Sequence, residues 1–292
     1  MIIEEKKILA CVDQSRFADF VTDYAVWAAR RLDAPLELLH VINRHPETTT
    51  HVDHSGAIGF DAQEALLTEL TDEDSERSRS AREEGRLILT RLRERALTAG
   101  VTADIRQRYG TLNETVTEQE DQIRLFVLGR RGQSAKTNQR DAGPHSLGRH
   151  VEEVVSSLSK PILTVTDSFK EPKRIMLAFD GGSVTRRGVR LMAGSPLFKG
   201  LPIHLLMSGK AGSAAERQLD WAKEMLEKAG FETKASFKPG DAETVITNNI
   251  LGEDIDLLVM GAYSHVPWRR MLMGSKTTDL LRAAKVPTLL VR

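Results

Sequence analysis

The sequence predicts an α/β protein built from two tandem, doubly wound parallel sheets. Short apolar runs alternate with helical patterns along the 292 residues, and the ordered series of runs occurs twice. "KKILACVDQS" (6–15) is answered by "KRIMLAFDGG" (173–182), and "APLELLHV" (34–41) by "LPIHLLMS" (201–208). "DQIRLFVLG" (121–129) then matches "EDIDLLVMG" (253–261), and "KPILTV" (160–165) matches "VPTLLV" (286–291). Recurrence in the same order at a large offset is the mark of a duplication. Strand–helix alternation implies parallel strands covered by helices on both faces. A prior of about 150 residues per domain also favours two.

The offsets locate the differences between the halves. Asp13 and Asp180 are 167 apart, as are Pro35 and Pro202. Gly129 and Gly261 are 132 apart, so the first half holds 35 extra residues before that point (167 − 132). Pro161 and Pro287 are 126 apart, which adds six more in the following loop (132 − 126). The expected domains are 1–168 and 172–292, joined by the polar, proline-closed "DSFKEP" (167–172).

Helices are expected between the runs. "FVTDYAVWAARRL" (20–32) sets Phe20, Tyr24, Trp27, Ala28 and Leu32 on one face. "AERQLDWAKEMLEKAG" (215–230) sets Leu219, Ala222, Met225, Leu226 and Ala229 on one face and stops at Gly230. The first-half insertion differs from the rest. Residues 43–76 hold nine Asp/Glu against a single basic residue, Arg44. The pattern predicts a loop with a short helix, "AQEALLTEL", leading into a long helix near 75–99. A solvated surface flap is the favoured reading of the insertion, ahead of a cover or a partner surface.

Composition excludes several classes. Net charge is +0 with no long basic tract, which argues against a dedicated nucleic-acid binder. Cys11 is the one cysteine and sits in an apolar run, so it reads as a buried, inert thiol in a reducing, cytoplasmic setting. "MIIEEKK" lacks the apolar stretch of a signal peptide, and no run reaches the ~18 apolar residues of a membrane span. His40, His45, His51 and His54 cluster around Asp53, but loop histidines of this kind read as polar surface, and no metal is expected. No Walker A or G-x-S-x-G pattern occurs, and no nucleophile–base pair is visible, so no catalytic residue is assigned.

The ligand crevice of an open parallel sheet lies at the carboxyl ends of its strands, near the switch in strand order. Asp13 and Asp180 end the first strand of each half, and Gly129 and Gly261 end the fourth. With an order of 3-2-1-4-5, those two ends line one crevice. In the second half, Gly261, Ser264, Gly274 and Ser275 are spaced Gly-x2-Ser-x9-Gly-Ser. Small residues let backbone N–H groups approach phosphate oxygens, and Ser275 opens the next helix, where amides converge on an anion. Taken singly, Ser275 is an N-cap and Asp180 an Asx-turn residue. Their joint occurrence at matching strand ends is the signal.

These motifs resemble the universal stress protein family, with two family domains in tandem over nearly the whole chain. The family signature is Gly-x2-Gly-x9-Gly-(Ser/Thr), with an aspartate ending the first strand. "MLAFDGG", "LLVMGAYSH", "MLMGSKTTDLL" and "VPTLLV" resemble it, with Ser264 in place of the second glycine. The resemblance implies five-stranded parallel sheets of the adenine nucleotide alpha-hydrolase-like fold, order 3-2-1-4-5. It implies a site for ATP, or for ADP or AMP, with Mg as the accompanying ion. Asp180, Gly182 and Ser183 would face the adenine–ribose end. The backbone at Met207 and Ser208 would hold the base. Gly261, Ser264, Gly274 and Ser275 would hold ribose and phosphates. It further implies that "PILTV" and "PTLLV" meet across an interface, giving an intramolecular pseudo-dimer that pairs again as a homodimer.

The first half departs from the signature. Gly129 and Gly132 match its opening, but fifteen residues separate Gly132 from Gly148, and Arg149 holds the Ser/Thr place. With Asp13, these form a weaker set of candidates, and this half is expected to bind nucleotide poorly or to bind something else. The sequence therefore reads as an ATP-binding stress-response regulator acting chiefly through its second half. A nucleotide-independent scaffold, or a binder of another small ligand, is the alternative. Slow ATP hydrolysis or self-phosphorylation ranks last.

Overall fold

The computed structural model describes residues 6–42, 60–130, 149–209, 212–262 and 276–292, without the side chains of 60–77, 149–150 and 276–278. The first half runs β1 (Lys7–Cys11), α1 (Phe17–Leu32), β2 (Leu36–Ile42), α2 (Phe60–Thr98), β3 (Ala103–Tyr109), α3 (Leu112–Glu118), β4 (Ile123–Gly129), α4 (Arg149–Ser157) and β5 (Ile162–Val165). The second half repeats it as β6 (Ile175–Phe179), α5 (Ser183–Gly194), β7 (Ile203–Gly209), α6 (Ser213–Lys228), β8 (Thr233–Pro239), α7 (Ala242–Gly252), β9 (Leu257–Gly261), α8 (Lys276–Ala283) and β10 (Thr288–Val291).

Strand pairing follows the offsets found in the sequence. Ile8 pairs with Leu36, and Ile175 with Ile203, each residue shifted by 167. Ala10 pairs with Val127, and its counterpart Leu177 with Val259. Gly129 pairs with Val165, and Gly261 with Val291. Each half keeps the order 3-2-1-4-5. The two sheets are not separate, however. They form one ten-stranded sheet, β3-β2-β1-β4-β5-β10-β9-β6-β7-β8, through the antiparallel pair β5–β10. Both strands are short and fully buried, and pairing them removes two apolar edges that would otherwise be exposed.

Helices cover both faces. α1, α2, α5 and α6 pack their apolar residues on one face, around Tyr24, Trp27, Leu92, Val189 and Leu226. α3, α4, α7 and α8 pack on the other, around Val116, Val154, Ile246 and Leu281. This double cover explains the nearly continuous apolar strands. Leu219, Ala222 and Leu226 of α6 are buried, whereas Ala229 at its end is exposed.

Among its described residues the insertion belongs to one continuous helix rather than two. α2 is 39 residues long, about 58 Å at the usual rise. No glycine or proline interrupts residues 60–84, so nothing breaks propagation between the two expected segments. Gly85 sits where α2 meets the sheet. A Cβ there would lie 2.2 Å from Gln107 Nε2 and 2.5 Å from His40 Cδ2.

The halves exchange arginines. Arg130, directly after β4, is buried and donates to the Ala284 carbonyl, to the Val286 carbonyl at 2.5 Å and to Thr288 Oγ1 at 2.7 Å. Burial pulls its guanidinium down to about 10. Reciprocally, Arg292, after β10, donates to the carbonyls of Ser156 at 2.7 Å and Leu158 at 2.9 Å. Each half thus satisfies carbonyls at the C-terminal end of the other half's last helix, which carry partial negative charge.

Candidate functional site

The carboxyl edge of the second half brings two of the expected elements together. Asp180 follows β6 and is exposed, and Gly261 ends β9. The first turn of α5 lies between them. A Cβ on Gly261 would be 3.0 Å from Val184 Cγ1 and 3.2 Å from Thr185 Cγ2. The glycine therefore lets strand and helix approach closely, apart from any service to a ligand.

The Asp180 turn is held on three sides. Asp180 Oδ1 accepts the Gly182 N–H at 2.8 Å and the Thr185 hydroxyl at 2.6 Å. The Gly181 carbonyl accepts from Arg186 Nε at 3.0 Å, and that guanidinium lies 5.1 Å from the Trp221 ring centroid. Gly181 is left-handed (φ +77°), a conformation that favours glycine. The Asx-turn reading of Asp180 holds, but it uses Oδ1 alone. Among the described residues no hydrogen bond uses Oδ2. Gly182 is the N-cap of α5 and offers no capping side chain.

Met207 and Ser208 lie near the end of β7, the strand beside β6, with the Met207 side chain buried and Ser208 half-buried. Ser183 opens α5 and is exposed. Ser264, Gly274 and Ser275 lie outside the described residues, and α8 starts directly after them. Sequence reasoning missed Thr185 and Gln218. Thr185 had a visible signal, a hydroxyl five residues after the strand-ending aspartate in "DGGSVT". Gln218 had none, since its contact with Gly181 spans 37 residues (218 − 181).

The first half is built differently at the same place. Asp13 Oδ1 accepts the Ser15 N–H at 2.9 Å, but Ala18 stands where the second half has Thr185. Gln14 replaces Gly181 and donates to Glu84 on α2 at 2.6 Å. His40 takes the place of Met207, and its Nδ1 contacts the Val12 carbonyl at 2.9 Å beneath Gly85. α2 thus closes onto the ends of β1 and β2 in this half. Gly129 is half-buried, Gly132 and Gly148 lie outside the described residues, and Arg149 starts α4. Cys11 is half-buried rather than fully buried, and desolvation, with a smaller contribution from Glu37, pushes its thiol up to about 12, so it stays protonated. His45, His51, Asp53 and His54 lie outside the described residues, within which no group of three or more metal-ligating side chains occurs.

A sequence model described as "Universal stress protein family" matches residues 5–166 and 195–292. The chain belongs to the universal stress protein family. The family model skips 167–194, so Asp180, Gly182 and Ser183 fall between its two matches. Universal stress protein Slr1230 of Synechocystis is 31% identical over 291 residues, covering 98% of this chain and all of its own. Among solved structures, a universal stress protein from Archaeoglobus fulgidus is similar, with a TM-score of 0.70 and 17% identity over 98% of this chain and 96% of its own. A putative universal stress protein from Pseudomonas aeruginosa gives a TM-score of 0.63 and 15% identity over 98% of this chain and 93% of its own. These structures share the universal stress protein fold over both halves. No described helix of this family member is long and apolar enough to cross a membrane.

Proposed function

We propose that this universal stress protein binds an adenine nucleotide, ATP foremost, in the crevice between the β6 and β9 ends of its second half. The observation that carries the reading is the preorganised Asp180 turn. Its carboxylate is fixed through Oδ1, it keeps Oδ2 for a ribose hydroxyl or a base amine, and it adjoins an uncapped helix start. Gly261 leads from this crevice into the segment of Ser264, Gly274 and Ser275, to which the reading assigns the phosphates and their Mg²⁺. Met207 and Ser208 supply backbone groups for the base.

The first half is assigned no nucleotide, because Gln14 bonds Glu84 of α2 and His40 packs against Gly85 of α2, where the second half has Gly181 and Met207. We read residues 1–168 and 172–292 as two domains forming a pseudo-dimer across β5–β10. Binding would act by shifting the population of conformations rather than by turnover. The test is to denature the purified protein and measure adenine nucleotide in the supernatant, for wild type and for Gly274→Val. Nucleotide released by wild type alone supports the reading. None from either, with no thermal shift on adding ATP, favours a nucleotide-independent scaffold.

A further inference from the structure

We propose that Gln218 reads the purine edge and makes the second-half crevice select adenine over guanine; this rests on the nucleotide site proposed above. Gly181 lacks a side chain, and the Gln218 carboxamide occupies the space. A Cβ at Gly181 would lie 1.8 Å from Gln218 Oε1 and 2.6 Å from its Cδ. The carboxamide therefore rests directly on the turn that carries Asp180. Gln218 is half-buried, and among the described residues no hydrogen bond uses its oxygen or its nitrogen. Its two donors and acceptor oxygen are therefore open to water or to a ligand.

The position suits the base rather than the phosphates. α6 follows β7, so Gln218 reaches the Asp180 turn from the β7 side, where Met207 and Ser208 lie. Trp221, one turn further along α6, holds Arg186 against the same loop, which fixes α6 on the turn. A carboxamide presents a donor and an acceptor side by side. That pair matches the N6–N7 edge of adenine, where the amine donates and N7 accepts. On that same edge guanine offers two acceptors, O6 and N7, so one amide group is mismatched in either flip.

The test is calorimetric titration of the full-length protein with ATP and with GTP. Wild type is expected to prefer ATP by about tenfold or more, the discrimination typical of one bidentate base contact. Gln218→Leu should lose about tenfold in ATP affinity, leave GTP affinity unchanged and keep its thermal midpoint. Gln218→Glu, of the same length but offering only acceptors, should lose the preference too. A preference for ATP undiminished in both variants overturns the inference while leaving the nucleotide site standing. Binding of neither nucleotide by wild type overturns both.

Discussion

Thr185 donates its hydroxyl hydrogen to Asp180 Oδ1 across 2.6 Å, and the same oxygen accepts the Gly182 N–H at 2.8 Å. The carboxylate is thereby oriented before any ligand arrives. Thr185 is buried, so replacing it with valine leaves a well-packed methyl group but removes the tether. Thr185→Val should cost about 1 kcal/mol of stability, typical of one hydrogen bond, and weaken ATP binding severalfold. Urea denaturation and calorimetry read the two effects separately.

Gly181 should tolerate alanine poorly. Its φ of +77° carries a penalty of about 1–2 kcal/mol for any residue with a Cβ. The new methyl also displaces Gln218. Gly181→Ala should therefore lower the urea midpoint and weaken ATP binding more than Thr185→Val does.

Arg130 should be among the most sensitive residues of the interface between halves. Its guanidinium serves three acceptors near the start of β10 and is desolvated in doing so. Arg130→Ala leaves two carbonyls unsatisfied and should cost about 2–4 kcal/mol in chemical denaturation. Arg130→Lys should recover little, because a point charge cannot reproduce the planar fork.

His204 should make stability fall in mild acid. It occupies the place of Glu37, which pairs with Lys7 and Arg106 in the first half. His204 Nε2 lies 2.6 Å from Ser236 Oγ, and Nδ1 is buried with no hydrogen-bond partner. Burial holds the imidazole below its ordinary value; Lys234 and Lys238 add to this, and Glu253 opposes them. The unfolded chain therefore takes up the proton first. The stabilising preference for the neutral ring is complete above the unfolded value of about 6.5 and is lost as pH falls from there through the lower folded value. Thermal midpoints at pH 7.5 and 5.5 should differ more for wild type than for His204→Gln.

The repeat was legible because paired strands preserve their offsets. Gly129 and Gly261 meet Val165 and Val291 in equivalent registers, as the sequence shifts of 132 and 126 require. The strand-end position of Asp180 was legible too, since aspartate after an apolar run is a local signal. Contacts between distant segments were not. Gly129 and Gly132 match the opening of the family signature, yet Arg130 between them turns to the other half. The meeting of β5 and β10 was expected from the family resemblance, since neither strand's own pattern announces it. Gln218 on Gly181 and Gly85 of α2 on His40 belong to the same class, in which packing decides what local sequence leaves open.

The most direct test of the account is the stoichiometry and residue dependence of ATP binding, measured by titration calorimetry on the full-length chain. The account predicts one ATP per chain, abolished by Asp180→Ala and retained by Asp13→Ala. No binding heat, two equivalent sites, or a site lost in Asp13→Ala but kept in Asp180→Ala would contradict it.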